Sequence, residues 1–75
     1  MIVLKQLRLK LDRCLKERQM TRYVLAQKTG IKYQTIDGYY KNSVLRYDAE
    51  NLSKIITALD CGVEDLFEIV EEDDP

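Results

Sequence analysis

The sequence has no histidine and no tryptophan, and only one proline, three glycines and two cysteines. Without histidine, no side chain has an ordinary pKa near neutrality, so the usual general acid–base group is missing. Neither Cys14 nor Cys61 sits in a C-x-x-C pair, and a four-ligand zinc site would have to draw on these thiols and scattered carboxylates. The two cysteines are therefore read as buried thiols packing as small hydrophobes, not as a disulfide or a metal site. A phosphate-binding P-loop and a G-x-S-x-G elbow are also absent. No uninterrupted apolar run exceeds four residues, against about 20 for a membrane-spanning helix. No signal-peptide pattern is present either, so the expectation is a cytoplasmic protein that is not an enzyme. No cofactor, metal, membrane or small-molecule substrate is expected.

What remains is a 75-residue chain that is 45% apolar and 33% charged, the composition of one soluble globular domain. A chain this short buries only about 60% of its unfolded surface, so the core should be a single small layer. The net charge of −1 hides an asymmetry: residues 1–47 carry +8 and residues 48–75 carry −9. A basic half of that size attracts phosphates, unless the acidic half neutralises it within the fold. Charge alone leaves both open.

Along the chain, residues 2–9 fit two periods. Alternation puts Val3, Leu7 and Leu9 on one face with Lys5 as an intruder, and helical spacing aligns Leu4, Leu7, Leu11 and Leu15. The strand reading is preferred there, with Phe67–Glu71 as its mate, and a helix over Leu11–Arg18 follows. Thr21 is an N-cap for a second helix that ends before Gly30, where a left-handed residue is needed. Met20 and Val24 are spaced as a hydrophobic staple around that cap. Ile31 plugs the turn. A third helix runs from Lys32 or Tyr33 to Tyr40, with Ile36, Tyr39 and Tyr40 inward and Tyr33, Gln34, Asp37, Gly38 and Lys41 outward. Asp48 caps a fourth helix with a buried stripe of Leu52, Ile55, Ile56 and Leu59, closed by Gly62. Val63–Phe67 forms a short fifth helix. The organisation is one domain over residues 1–70 and an acidic, disordered tail over 71–75.

The constellation that carries chemistry is Leu25, Ala26, Gly30, Ile31 and Ile36. An apolar anchor, a small neighbour, a glycine turn and apolar anchors in the next helix are what a helix-turn-helix needs to pin two helices together. The segment QMTRYVLAQKTGIKYQTI, followed by LSKIITALDCGVEDLF, resembles the Cro/cI-type (XRE) helix-turn-helix regulators, in particular their short stand-alone members. The likeness spans roughly Leu11–Val70. It implies an all-α, lambda-repressor-like bundle of about five helices, to which the strand pair would be an addition. It also implies a transcriptional regulator, most often a repressor, that binds double-stranded DNA as a homodimer. A protein-interaction module of the same fold, antitoxin-like or an anti-repressor partner, is the alternative.

Carried over residue by residue, the resemblance puts Lys32, Tyr33, Gln34, Asp37 and Gly38 at base-facing positions of the recognition helix. It puts Thr21, Arg22, Lys41, Asn42 and Arg46 against the DNA backbone. Each also has a plainer use. Gln34 can bond adenine bidentately or simply be solvated. Tyr33 can touch a thymine methyl or a phosphate, or cover the turn. Asp37 can accept from cytosine N4 or pair with Lys41 at i,i+4. Gly38 can permit close approach to DNA, or be a helix defect costing about 1 kcal/mol relative to alanine. Two residues depart from the family's habit: Lys32 stands where a capping Ser or Thr is common, and Arg22 where glutamine is common.

Overall fold

The computed structural model describes residues 3–73. Its elements are β1 (Val3–Leu9), α1 (Leu11–Glu17), α2 (Arg22–Thr29), α3 (Tyr33–Lys41), α4 (Ala49–Leu59), α5 (Val63–Leu66) and β2 (Phe67–Asp73). Each helix contributes one almost fully enclosed side chain to the centre: Leu11, Leu25, Ile36, Ile55 and Leu66 are all at or below 1% exposure. Enclosing a side chain of this size stabilises by about 1.5–3 kcal/mol relative to leaving it in water. Leu9, Cys14, Leu15, Ile31, Tyr39 and Leu59 complete the buried set, and Leu52, Ile56, Tyr40 and Phe67 pack against it half-buried. The apolar stripes of α3 and α4 thus face inward as their spacing predicts.

The all-α expectation needs one correction. β1 and β2 form a two-stranded antiparallel sheet in which Leu9 lies opposite Phe67, Leu7 opposite Ile69 and Lys5 opposite Glu71. The strand alternative for residues 2–9 is the right one over 3–9, and the mate extends beyond Glu71. Residues 71–73 continue β2 and pair with β1, so the disordered-tail expectation fails there; residues 74–75 lie outside the described residues. The alternation in the sequence stops at Ile69, and the acids continue the strand because the register sets Glu71, Glu72 and Asp73 opposite Lys5, Leu4 and Val3 of β1. The shared apolar face of β1 is also shorter than expected. Leu9 is buried against the helices, whereas Leu7 is 51% exposed. Lys10 ends the strand, its N–H donating to Leu66 O at 2.6 Å.

Helix ends follow from backbone handedness. α2 ends on Gly30 at φ +76°, its N–H bonded to Ala26 O. α1, α3 and α4 end in a tighter pattern with left-handed Gln19, Asn42 and Asp60. In each, the next residue's N–H reaches back to the last turn: Met20 to Leu15 O, Ser43 to Gly38 O and Cys61 to Ile56 O. Gly62, expected to close α4, instead precedes α5, with its N–H donating to the Asp65 carboxylate at 3.1 Å. Asn and Asp tolerate the left-handed region, so α4 needed no glycine.

Candidate nucleic-acid interface

The turn between α2 and α3 is held by local bonds. Thr21 caps α2, its Oγ1 accepting from Val24 N at 3.1 Å. Thr29 Oγ1 donates to Leu25 O at 2.8 Å and accepts from Ile31 N at 3.2 Å, which fixes the chain on both sides of Gly30. Ile31 is buried and Leu25 and Ile36 sit fully enclosed behind it, so the two helices are pinned from within. Lys32 is the N-cap of α3 and makes no side-chain capping bond, as the missing hydroxyl predicts. Lys32, Tyr33 and Gln34 are therefore exposed on a first turn whose backbone N–H groups have no side-chain cap.

Arg22, Asp37 and Lys41 form one cluster across the α2–α3 junction. The Arg22 guanidinium pairs with Asp37 Oδ1, and Lys41 Nζ lies 3.1 Å from Asp37 Oδ2. The hydrogen bond from Lys41, with the nearby Arg22 charge, holds the Asp37 carboxyl below its ordinary pKa. The Arg22 guanidinium also lies 4.3 Å from the Tyr40 ring centroid and 5.9 Å from that of Tyr33, within reach of a cation–π attraction. The i,i+4 pairing of Asp37 with Lys41 is thus the arrangement present, and Arg22 is a second partner that spacing alone does not give.

Two residues expected at the interface are used elsewhere. Asn42 Oδ1 accepts from Leu9 N at 2.8 Å and its Nδ2 donates to Leu9 O at 3.0 Å, so both ends of the amide are spent on β1. Gly38 lies beneath the 42–47 loop: a Cβ added there would stand 3.0 Å from Val44 Cγ1, and Ser43 N donates to Gly38 O at 3.0 Å. The glycine makes room for that loop, a role neither reading of the sequence anticipated. Arg46 is exposed and makes no ion pair or hydrogen bond among the described residues. Thr21 is exposed, its hydroxyl oxygen already accepting in the cap.

A cleft between α1 and the start of α2 is lined by Arg13 and Lys16 together with Thr21, Arg22 and Tyr40. Arg13 and Lys16, both exposed, were not singled out from the sequence. Their i,i+3 spacing on the face of α1 opposite Cys14 and Leu15 was the available signal. The outcome is a helix-turn-helix with its second helix exposed at the N-terminal end and cations on α1, α2 and the following loop.

A family model for the Cro/C1-type HTH DNA-binding domain matches residues 10–72. The chain belongs to the Cro/C1-type helix-turn-helix family. The matched span takes in all five helices of the Cro/C1-type domain and nearly all of β2, leaving β1 outside it. DNA is thus the partner class of this domain, and transmembrane helices do not enter: among the described residues none is long and apolar enough to cross a membrane. No curated protein and no solved structure matched the chain.

Proposed function

We propose that the protein is a sequence-specific regulator of transcription, acting in the cytoplasm as a homodimeric repressor that lays α3 in the DNA major groove. The observation that carries this is the exposed first turn of α3, with Lys32, Tyr33 and Gln34 projecting from a junction whose apolar anchors are fully buried. Gln34 is the adenine reader, Lys32 a guanine or phosphate contact, and Tyr33, 42% exposed, the apolar contact to a thymine methyl. Arg13, Lys16, Arg22, Lys41 and Arg46 supply the phosphate contacts, and Asn42 is withdrawn from that set because its amide is committed to Leu9. Dimer formation draws support from Leu7 and Ile69, a cross-strand pair that stays exposed on the sheet.

The test is selection from a random duplex library, followed by affinity measurements over a range of salt. Five such phosphate contacts per protomer, ten per dimer, give a log–log slope of about −9. Gln34→Ala is expected to relax preference at one base pair while leaving the slope unchanged. Failure to enrich any sequence, with no salt-dependent binding, refutes the proposal. A protein-docking role for the same fold is favoured by one observation, the 99% exposure of Leu45 beside Leu7. It gains if Leu45→Ser abolishes a co-purifying partner without touching DNA binding.

A further inference from the structure

The recognition helix carries a carboxylate where a DNA-facing surface would be expected to be neutral or basic. Asp37 sits one turn beyond Gln34 on α3, and its two oxygens take one cation each, Arg22 from α2 and Lys41 from the end of α3. A carboxylate accepting from two cationic donors in this way occupies the place a phosphate oxygen pair would take. Arg22 is further fixed over the Tyr40 ring, so the guanidinium is ordered before any ligand arrives. The side chains of Arg22 and Asp37 are 32% and 24% exposed, so the pair is accessible to a competing anion but is not simply dissolved in solvent.

We propose that Asp37 is a specificity-determining residue that stands in for a DNA phosphate, keeping Arg22 and Lys41 occupied until base contacts made by Lys32–Gln34 favour the exchange. This rests on the DNA-reading function proposed above. Its physical content is a difference in charge. With Asp37 ionised, the cluster presents one net positive charge to a duplex; without it, two. Generic duplex offers phosphates and no base complementarity, so it gains little by displacing the carboxylate. A matched site gains base contacts as well. Asp37 thereby weakens non-specific binding more than specific binding, and the ratio between the two is what selects a site in a genome.

The experiment compares wild type with Asp37→Asn on two probes: a random-sequence 30-base-pair duplex and the best duplex from library selection. In the variant the random duplex is expected to bind about tenfold tighter at 0.1 M salt. The slope with salt should steepen by about 0.9 for each cation released to a phosphate. The selected duplex should gain less, so the specificity ratio falls. Lys41→Gln supplies the reading that a merely structural role would not move. On the random duplex it should cost little in the wild-type background and should cancel much of the gain in the Asp37→Asn background. Asp37→Ser serves as a second variant, and far-UV circular dichroism checks that each retains wild-type helicity.

Unchanged or weaker binding of the random duplex by a folded variant overturns the proposal. So does a change of preference confined to one base pair, which would make Asp37 a reader of that base. Loss of fold in both variants overturns it too, by making the cluster a structural tie between α2 and α3. If neither wild type nor variant binds either duplex at any salt, the DNA-reading function falls with it. If wild type binds and the variant does not tighten, the loss is confined to Asp37.

Discussion

Replacing Asn42 with alanine should cost the domain about 2–4 kcal/mol, although the residue lies at the surface end of α3. Three contributions act together. Asn42 bonds both Leu9 N and Leu9 O, at 2.8 and 3.0 Å, and each such bond is worth about 0.5–1.5 kcal/mol net. Leu9 is only 3% exposed, so its amide groups would be left poorly solvated, and a buried unsatisfied group costs about 1–3 kcal/mol. Asn42 also holds φ +56°, a left-handed conformation that costs an ordinary L-residue about 1–2 kcal/mol and asparagine less. These contributions overlap, since the lost bonds and the unsatisfied amide are partly the same quantity, so their simple sum overstates the loss.

The loss is large against the whole. A domain of 75 residues has a total stability of roughly 4–11 kcal/mol. Urea unfolding followed by far-UV circular dichroism would report it as a lower midpoint at unchanged slope. Asn42→Gly separates the contributions, because glycine accepts the left-handed backbone but makes no side-chain bonds; it should recover about 1 kcal/mol of the alanine loss. Asn42→Asp keeps the acceptor for Leu9 N but turns a second oxygen towards Leu9 O, so it should also destabilise. An alanine variant within about 0.5 kcal/mol of wild type, at the resolution expected for an uncommitted surface position, would refute the reasoning. Asn42 would then return to the candidates for a DNA backbone contact.

Other perturbations have equally definite signs. Gln19 adopts φ +52° and Gly30 φ +76°, so Gln19→Gly should stabilise by up to about 1 kcal/mol and Gly30→Ala should destabilise by about 1–2 kcal/mol. Both are read from thermal or urea midpoints, and equal signs would refute the account of the helix ends. Burial pushes the thiols of Cys14 and Cys61 above their ordinary pKa. Both should therefore react with an aromatic disulfide at pH 8 more slowly than free cysteine, and accelerate once urea unfolds the chain. Their contribution to stability is complete below the unfolded thiol pKa and is lost as pH rises through the higher folded value. Arg13→Gln should flatten the salt dependence of DNA binding by about 0.9 per protomer. Lys5→Gln, which removes a cation facing Glu71 at 4.0 Å, should leave it unchanged.

The helical part of the fold was legible because its signals are local and periodic. Ile36 with Tyr39 and Ile55 with Leu59 repeat at helical spacing, and Thr21, Gly30 and Asp48 punctuate them. The sheet was legible as the preferred reading of residues 2–9 with Phe67–Glu71 as mate, but weakly, since the two strands alternate over few residues and lie at opposite ends of the sequence. β2 was further masked by acids that resemble a solvated tail. At the site, spacing predicted that Tyr33, Gln34 and Lys41 face outward, but not that Asp37 is half-buried or that a loop covers Gly38. Asn42 was placed against DNA because its partner, Leu9, is 33 residues away. Gly38 was ambiguous because Val44 returns over it through a loop with no periodic signal. The Arg22–Asp37 pair spans 15 residues and two helices, so no i,i+4 rule reaches it.

The structure also resolves the charge asymmetry, and it does so by dividing the cations between two uses. In the sheet, Lys5 faces Glu71 and Arg8 lies opposite Glu68 in register, so acidic β2 offsets basic β1. Lys10 Nζ donates to Glu64 O, and Arg18 donates to Leu59 O and Cys14 O, spending two more cations on packing. Arg13, Lys16, Lys28, Lys32 and Arg46 are different: all are exposed and make no ion pair among the described residues. They come from α1, α2, the start of α3 and the loop after it, the elements that surround the helix-turn-helix. Neutralisation within the fold and attraction of phosphates are therefore not rival accounts of the same charges. The acidic half offsets the cations of the sheet, Lys5 by a salt bridge and Arg8 by its place opposite Glu68. What remains is a set of exposed cations without an ion pair among the described residues, which the proposed DNA-binding function would use, and a net charge of −1 is compatible with that.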